Sequence, residues 1–486
     1  MNKKSSGRDN FISRAGLNTS EFSDGCRQVL EKISEHKLQI IRLSFVDQHG
    51  ILRGKSYPAR DIEMLFQSGC AMTSSLLLKD TSHRTVFPIW SNKSILGLDE
   101  LSGAGDIMMV PDPGTFRILP WVKGTGWMIC DLFDISANPL IFSSRGLAQR
   151  SMAMLRDAGF EYVSGLEVEF HIFKLDDAKL QPHNSGHPAA PPEVSLLTHG
   201  YQYLTESRAD EMEPVTELLR SNIEQLGLAI RSIEVEFGPS QVEFTFHPEK
   251  GIQSADNMVL FRSAVKQICH RHGYHASFMC RPQIDNLFSC GWHLHQSILN
   301  LHDGENAFMP KDSNQLLSPT GQQFAAGLLK HAPACCVFTT PTINGYKRYQ
   351  PYGLAPDRIS WARDNKASML RVISAPGDSG SRIENRVGEP AANPYLYLAS
   401  QCFSGLSGIT ELAIPPPTCD QPYGSEETQL PSNLMQAVDA LNDDPTMTDL
   451  FGRDFVQWIS TIKTAEFNRF MSAVTDWEQR EYFSNF

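Results

Sequence analysis

The fold of this chain is most constrained by one short segment, Gly165-Leu166-Glu167-Val168-Glu169-Phe170-His171-Ile172-Phe173. Apolar and polar residues alternate along it, which predicts a β-strand because successive side chains of a strand point to opposite faces of the sheet. The apolar residues share one face, and Glu167, Glu169 and His171 share the other. A strand with one face in water has the same pattern, so this segment alone leaves a solvated face and a functional face both open.

Two later segments repeat the pattern. Residues 233–246 carry Glu236 and Glu243 on either side of a Gly-Pro-Ser break, and residues 291–297 place His293, His295 and Ser297 on one face. Glutamate is depleted from strands, so three strands with Glu or His on their polar faces favour convergence on a cation. Carboxylate oxygens with a single imidazole suit Mg²⁺ or Mn²⁺ better than zinc or copper.

A second feature is a concentration of positive charge between residues 344 and 386. Its main candidates for binding an anion are Arg348, Lys366, Arg371, Arg382 and Arg386. Arginine binds carboxylates and phosphates through two N–H groups at once, so this cluster beside metal ligands favours phosphoryl transfer from a nucleotide. The alternative is ordinary surface arginine. No GxxxxGK[ST] motif is present, which excludes a P-loop enzyme.

Composition narrows the class of protein. The 486 residues include 43 Lys and Arg against 55 Asp and Glu, a formal net charge of −12. An acidic chain without a strong basic surface is repelled by nucleic acid and by anionic membranes. No apolar run approaches the ~20 residues that span a bilayer, and the first ten residues lack the apolar core of a secretion signal. The ten cysteines form no CxxC pair, so we expect reduced, buried thiols in a soluble cytoplasmic protein.

Local patterns predict two folded parts after a disordered tail at residues 1–20. We expect a small β-rich domain at 21–138, which includes a hairpin at 38–57, and a large domain of helices and strands at 139–486. Residues 176–193 and 414–432 predict surface loops. Helical spacing is found at residues 22–36, 143–158, 208–226, 254–272 and 433–482.

Taken in order, these motifs resemble the glutamine synthetase family. The matching segments are 165–170, 236–243, 291–297, 344–348, 365–371, 382–386 and 391–396, with Asp476-Trp477-Glu478 near the end. The resemblance implies an α+β fold with a small N-terminal β-grasp domain and a large catalytic domain built on a curved antiparallel sheet. It also implies a homo-oligomer, usually a dodecamer of two hexameric rings, in which the neighbour's N-terminal domain completes each site.

The resemblance further implies the chemistry and the residues that perform it. ATP would phosphorylate the γ-carboxylate of L-glutamate, and an amine would then displace the phosphate. One metal ion would be held by Glu169, Glu236 and Glu243, and the other by Glu167, His293 and Glu384. Glutamate and its γ-phosphoryl group would be bound by Arg348 and Arg386. ATP phosphates would be bound by Arg371 and Arg382, and the nucleotide base by Ser297. Lys366 stands where the family usually has arginine, so the charge is kept without the bidentate fork.

Three positions depart from the ammonium-using pattern of the family. Leu354 and Met72 occupy positions where the family has acidic residues that bind ammonium, and Phe288 replaces the family's glutamate-binding asparagine. Loss of carboxylates and gain of apolar surface disfavour a charged amine. Aromatic amines are neutral near pH 7, so the sequence most resembles the γ-glutamylanilide synthase branch of the family, which would imply a role in aniline degradation.

Other functions remain open at this point. The same substitutions fit a γ-glutamyl ligase for small alkylamines or an ordinary ammonium-using glutamine synthetase. A catalytically silent, ring-forming binding protein would have lost metal ligands, whereas all six positions are intact here. A guanidino-phosphotransferase has a related fold but does not share the Arg382–Arg386 and Asn393–Tyr395 motifs.

Overall fold

Two β-sheets organise the chain in the computed structural model, which describes residues 10–90, 96 and 99–486. The first sheet has six strands: β1 (Ile40–Val46), β2 (Leu52–Pro58), β3 (Cys70–Thr73), β4 (Asp106–Pro111), β5 (Arg117–Ile118) and β6 (Thr125–Phe133). Its strand order is β2-β1-β6-β4-β3, with β5 also paired to β6. Strands β1 and β2 form the predicted antiparallel hairpin, while β1 and β6 are parallel.

The second sheet has ten strands and is curled. They are β7 (Phe160–Asp177), β8 (Glu193–Ser195), β9 (Ile230–Val235), β10 (Gln241–Phe246), β11 (Glu249–Lys250), β12 (Tyr274–Ser277), β13 (Trp292–Asn300), β14 (Trp361–Arg363), β15 (Leu370–Ile373) and β16 (Arg382–Asn385). The order is β14-β15-β16-β13-β7-β10-β9, and β8, β11 and β12 also pair with β7. The long strand β7 is therefore the hub of this sheet. All of its described pairings are antiparallel, whereas β14 and β15 run parallel.

Thirteen described helices surround the sheets. They are α1 (Phe11–Arg14), α2 (Ser20–Glu35), α3 (Ile62–Ser68), α4 (Ser144–Asp157), α5 (Glu206–Gln225), α6 (Gln253–Arg271), α7 (Pro319–Lys330), α8 (Ala332–Thr339), α9 (Pro394–Thr410), α10 (Leu434–Asp443), α11 (Pro445–Phe451), α12 (Arg453–Met471) and α13 (Asp476–Tyr482). Helices α2, α4, α5 and α6 lie within two residues of their predicted bounds. None of the described helices has both the length and the apolar composition to cross a membrane.

The prediction of a disordered tail at residues 1–20 is wrong for residues 10–20. Residues 1–9 lie outside the described part of the chain. Asn10 caps helix α1 by accepting a hydrogen bond from the Ser13 N–H at 2.8 Å. Phe11 and Ile12 are buried, and the Phe11 ring meets Phe133 edge-on at 6.2 Å. Two apolar side chains that pack on the first sheet thus order a segment whose polar neighbours suggested disorder.

The mixed α+β fold agrees with the prediction. The two sheets lie on either side of residue 139, and the domain bounds 21–138 and 139–486 stay a prediction. The ten cysteines are all free thiols, and eight of them are buried, as expected. Residues 414–432 contain no described helix or strand, in agreement with the predicted second loop.

A buried arginine ties the two parts of the chain together. Arg145, at the start of α4, donates to Asp112 at 2.8 Å, to Asp131 at 2.8 Å and to Asp256 at 2.9 and 3.0 Å. Its side chain is 5% exposed. Tyr395 Oη donates to the same Asp256 carboxylate at 2.6 Å. The Asp112 and Asp131 carboxylates thereby share the Arg145 cation with the Asp256 carboxylate of helix α6.

We expect Arg145→Met to lower the free energy of unfolding by about 3–5 kcal/mol, because removal of the shared cation leaves the buried Asp256 carboxylate and two partly exposed carboxylates uncompensated. Urea denaturation followed by circular dichroism measures this. Arg27→Met is the matched control: in the described part of the chain Arg27 forms an ion pair with Asp24 alone, and both side chains are more than half exposed, so its effect should stay within about 0.5 kcal/mol. Equal small effects for the two variants would contradict the role of Arg145.

Candidate active site

The register of the second sheet brings the predicted acidic positions together. On β7, Glu167 lies opposite His293 of β13, and Glu169 lies opposite Glu243 of β10. On the next strand along, Glu384 of β16 lies opposite His295. The alternation of side chains seen in the sequence therefore points Glu167, Glu169, Glu243 and His293 into one pocket, and Glu384 lies buried beside them.

His293 stands at the centre of this cluster. Its Nδ1 lies 2.8 Å from Glu167 Oε1 and 3.8 Å from Glu384 Oε1, and its Nε2 lies 3.9 Å from Glu169 Oε1. Two trios have ligand atoms that all lie within 4.8 Å of one another: Glu167 with His293 and Glu384, and Glu169 with Glu243 and His293. The first trio is one predicted metal set. The second contains two of the three residues of the other set, and Glu236 lines the same pocket.

The electrostatics of the pocket favour a bound cation. Burial, and then the charges of Glu167 and Glu169, raise the pKa of Glu243 to about 11. Burial and the Glu169 carboxylate raise the pKa of Glu236 to about 8. Burial alone would also raise the pKa of Glu167, but its hydrogen bonds to His293 and His295 outweigh burial and hold that pKa well below its usual range. Crowded carboxylate oxygens with one imidazole form a donor set that fits a divalent cation.

Three of the predicted cationic residues line the same pocket. Arg348 places Nη2 3.2 Å from His293 Nε2 and donates through Nη1 to the Arg386 carbonyl at 3.0 Å. Arg386 hydrogen-bonds Glu384 and donates through Nε to the Lys366 carbonyl. Lys366 also lines the pocket. These cations sit beside the carboxylate cluster, where an anionic substrate would meet both.

The other two arginines extend the site along strands β15 and β16. Arg371 donates to Glu384 at 3.0 Å and to Asp364 at 2.6 Å, and Arg382 donates to His295 Nδ1 at 3.1 Å. Ser297 is buried on β13, one alternation beyond His295, and is not among the residues that line the pocket. Its assignment to a nucleotide base stays a prediction.

One wall of the pocket is aromatic and was only partly predicted. Tyr203 and Phe237 stack with ring centres 4.5 Å apart and ring planes at 6°. Phe237 lies 5.7 Å from Phe288. Leu354 lines the same pocket and is 43% exposed. Phe288 and Leu354 were predicted from the sequence as pocket residues, whereas Tyr203 and Phe237 were not, although Phe237 directly follows Glu236.

Gln241 organises the floor of the site and was not assigned a role from sequence. Its Oε1 accepts from the Gly238 N–H at 2.8 Å, and its Nε2 donates to Glu169 Oε2 at 3.1 Å and to Cys290 Sγ at 3.2 Å. The Gly291 N–H donates to the same Glu169 oxygen at 2.9 Å. Glu169 is thus held in place by two donors from neighbouring strands.

Two positions that the sequence analysis singled out, His171 and Met72, lie away from the pocket. His171 shares the polar face of its strand in the sequence, but it is fully buried, its Nδ1 lies 3.3 Å from Cys290 Sγ, and burial lowers its pKa to about 3. Met72 pairs with Ile107 in the first sheet and is 5% exposed, in the core of that sheet. In this chain Met72 is therefore not part of the pocket, because its side chain points inward while Ala71 faces outward.

Comparisons with known proteins agree with this geometry. The family model "Glutamine synthetase, catalytic domain" matches residues 142–482. A γ-glutamylanilide synthase from Acinetobacter sp. is 41% identical, covering 98% of each chain. A glutamine synthetase from Halobacterium salinarum is 31% identical, covering 96% of this chain and 98% of the relative. Two solved structures of a protein named GmaS, one without ligand and one with ADP, each superpose with a TM-score of 0.78 at 27% and 26% identity, covering 94% of this chain and 99% of theirs.

The curled sheet, the carboxylate cluster and the adjoining arginines are those of an ATP-dependent carboxylate–amine ligase that uses divalent metal ions. The chain belongs to the glutamine synthetase family. It is a glutamate–amine ligase that forms γ-glutamyl amides. The family and the reaction class predicted from the sequence motifs are thereby confirmed.

Proposed function

We propose that the amine substrate of this ligase is aromatic, with aniline as the simplest example. The observation that carries the proposal is the apolar wall of Tyr203, Phe237, Phe288 and Leu354 on the active-site pocket. Aromatic rings stack favourably on one another, and an apolar wall favours a neutral amine over ammonium. The name of the 41% identical relative, γ-glutamylanilide synthase, supports the same substrate class.

The residues of the pocket support a two-step reaction. In the first step, an oxygen of the glutamate γ-carboxylate attacks the γ-phosphorus of ATP, and ADP leaves. In the second step, the amine nitrogen attacks the acyl carbon of γ-glutamyl phosphate, loses its proton, and inorganic phosphate leaves. Phosphorylation is needed because a carboxylate is a poor electrophile without a leaving group.

We assign the binding roles as follows. Arg348 and Arg386 orient glutamate and its γ-phosphoryl group, since both lie at the carboxylate cluster. Arg371 and Arg382 bind the ATP phosphates and Ser297 the base, along β13, β15 and β16. Lys366 adds a positive charge where γ-phosphoryl charge develops.

The carboxylate cluster fits two divalent ions. Glu169, Glu236 and Glu243 would hold one, and Glu167, His293 and Glu384 the other. Such ions neutralise phosphate charge when bound. We assign them as Mg²⁺ or Mn²⁺, because oxygen-rich sites favour hard cations. We further assign the enzyme to the cytoplasm, and its assembly to a dodecamer of two hexameric rings in which the neighbour's N-terminal domain completes each site.

The decisive experiment is ADP release from purified enzyme with ATP, Mg²⁺ and L-glutamate, offered ammonium, ethylamine, isopropylamine, putrescine or aniline, with the product mass checked. Turnover mainly with aniline supports the proposal. Turnover mainly with ammonium would make the protein an ordinary glutamine synthetase, and turnover mainly with ethylamine or isopropylamine would make it an alkylamine ligase. No ADP release with any amine would leave a catalytically silent binding protein.

A further inference from the structure

A second cavity lies between the hairpin of the first sheet and helix α6. Its volume is about 540 Å³, within the range of about 300–1,000 Å³ that small-molecule sites occupy. The turn after β1, residues 48–52, forms one side, and residues 259–267 of α6 form the other. We call it the interdomain cavity. It shares no lining residue with the active-site pocket.

The charge of the interdomain cavity is opposite to that of the whole protein. Arg262, Lys266 and Lys463 line it, and none of its described lining residues is Asp or Glu. The chain as a whole carries a formal charge of −12. A one-signed lining in an oppositely charged protein concentrates ions of the other sign, so this cavity favours an anion.

Arg262 is a buried cation that forms no ion pair with any residue the structure describes. It is 9% exposed, and within those residues its guanidinium donates only to carbonyls: Pro390 at 2.9 Å, Ala392 at 2.7 Å and Gly50 at 2.8 Å. No described carboxylate lies within 4.0 Å of it, and burial lowers its pKa to about 10. A buried charge that lacks a counter-charge is costly, and a bound anion would remove that cost.

Two carboxylates, Asp47 and Glu389, act on Arg262 through their charges, but both bind other groups. Asp47 pairs with Arg53 at 2.8 Å, and Glu389 accepts from the Thr342 N–H at 2.8 Å and from the Thr342 hydroxyl at 2.9 Å. The charge of Arg262 is therefore available to a ligand.

Lys266 supplies a second cation on the same face of the helix. It follows Arg262 by four residues on α6, a spacing that places two side chains side by side. It is exposed, and it forms no ion pair with any residue in the described ranges. Lys463 contributes less positive charge to the cavity, since it already donates to the Pro341 carbonyl at 2.8 Å and lies 3.3 Å from Glu466.

The remaining walls select an organic anion over an inorganic one. Leu52, Val259, Phe278 and Met279 line the interdomain cavity. An inorganic phosphate would leave this apolar surface in contact with water, whereas a ligand with a hydrocarbon body would cover it. We propose that the interdomain cavity binds a small organic carboxylate with an apolar body, its carboxylate between Arg262 and Lys266.

Isothermal titration calorimetry with benzoate tests this on the full-length enzyme, with benzamide as the neutral probe of equal shape. We expect benzoate to bind and benzamide to bind at least about tenfold more weakly, the scale of a charge-assisted hydrogen bond. Lys266→Gln should weaken benzoate by about tenfold. Arg271→Gln is the control, because Arg271 is exposed on the same helix but does not line the cavity.

Saturating L-glutamate with a non-hydrolysable ATP analogue separates this site from the active site. Benzoate affinity should be unchanged, since the two cavities share no residue. The proposal is overturned by the absence of benzoate binding, by equal binding of benzamide, by an unchanged affinity in Lys266→Gln, or by displacement with glutamate. None of these results depends on which amine the enzyme uses, so failure here and failure of the aromatic-amine proposal are distinguishable.

Discussion

Glu169→Gln is expected to lower turnover by at least about a thousandfold with every amine, the upper range for loss of one preorganised electrostatic contact. Glu169 lies in the carboxylate cluster opposite Glu243. In the proposed assignment it holds a metal ion that serves the first step, phosphorylation of glutamate, which every amine substrate shares. The substitution keeps the shape of the side chain and removes its charge, so the effect reports the lost negative charge.

The measurement is steady-state ADP release with aniline and with ammonium, together with Mn²⁺ titration of the purified protein. We expect Mn²⁺ affinity to fall together with turnover. Glu213→Gln is the matched control, because Glu213 is exposed on α5 away from the pocket. Turnover within tenfold of the unmodified enzyme would show that Glu169 is not a metal ligand.

The carboxylate cluster could be predicted from sequence because strand geometry is regular. Side chains two residues apart share a face, so Glu167 and Glu169 had to point together. Once β10 and β13 pair with β7 on either side, the register sets Glu243 and His293 next to them. Recognition of the family motifs supplied the grouping of these strands' acidic residues and His293 into one site, which alternation by itself leaves open.

Other parts of the site depend on irregular backbone and could not be predicted in this way. Tyr203 reaches Phe237 from the segment between β8 and α5, where no periodicity fixes the direction of a side chain. His171 shows the opposite failure. Its place on the polar face is correct by alternation, yet its side chain is fully buried, with Nδ1 3.3 Å from Cys290 Sγ and the ring stacked on Phe173. The helix at Phe11–Arg14 forms because two apolar residues find a partner surface that lies about a hundred residues later in the chain.

Leu354→Glu is expected to exchange the amine preference of the enzyme. Leu354 contributes the aliphatic part of the proposed amine pocket and is 43% exposed, so a carboxylate there stays hydrated and ionised. A negative charge attracts ammonium and disfavours the neutral ring of aniline. We expect kcat/KM for aniline to fall by about ten- to a hundredfold, the range that one altered pocket contact produces, while ammonium turnover rises.

The informative quantity is kcat/KM for aniline divided by kcat/KM for ammonium, because general damage to the enzyme lowers both values together. Leu180→Glu provides the control, because Leu180 is 84% exposed in the loop after β7. This substitution adds the same charge far from the pocket and should leave the ratio unchanged. If Leu354→Glu also leaves the ratio unchanged, Leu354 does not contact the amine, and aromatic specificity would have to come from Tyr203, Phe237 and Phe288 alone. If Phe237→Ala lowers the ratio of kcat/KM for aniline to kcat/KM for ammonium while Leu354→Glu leaves it unchanged, the aromatic specificity would be assigned to the aromatic wall.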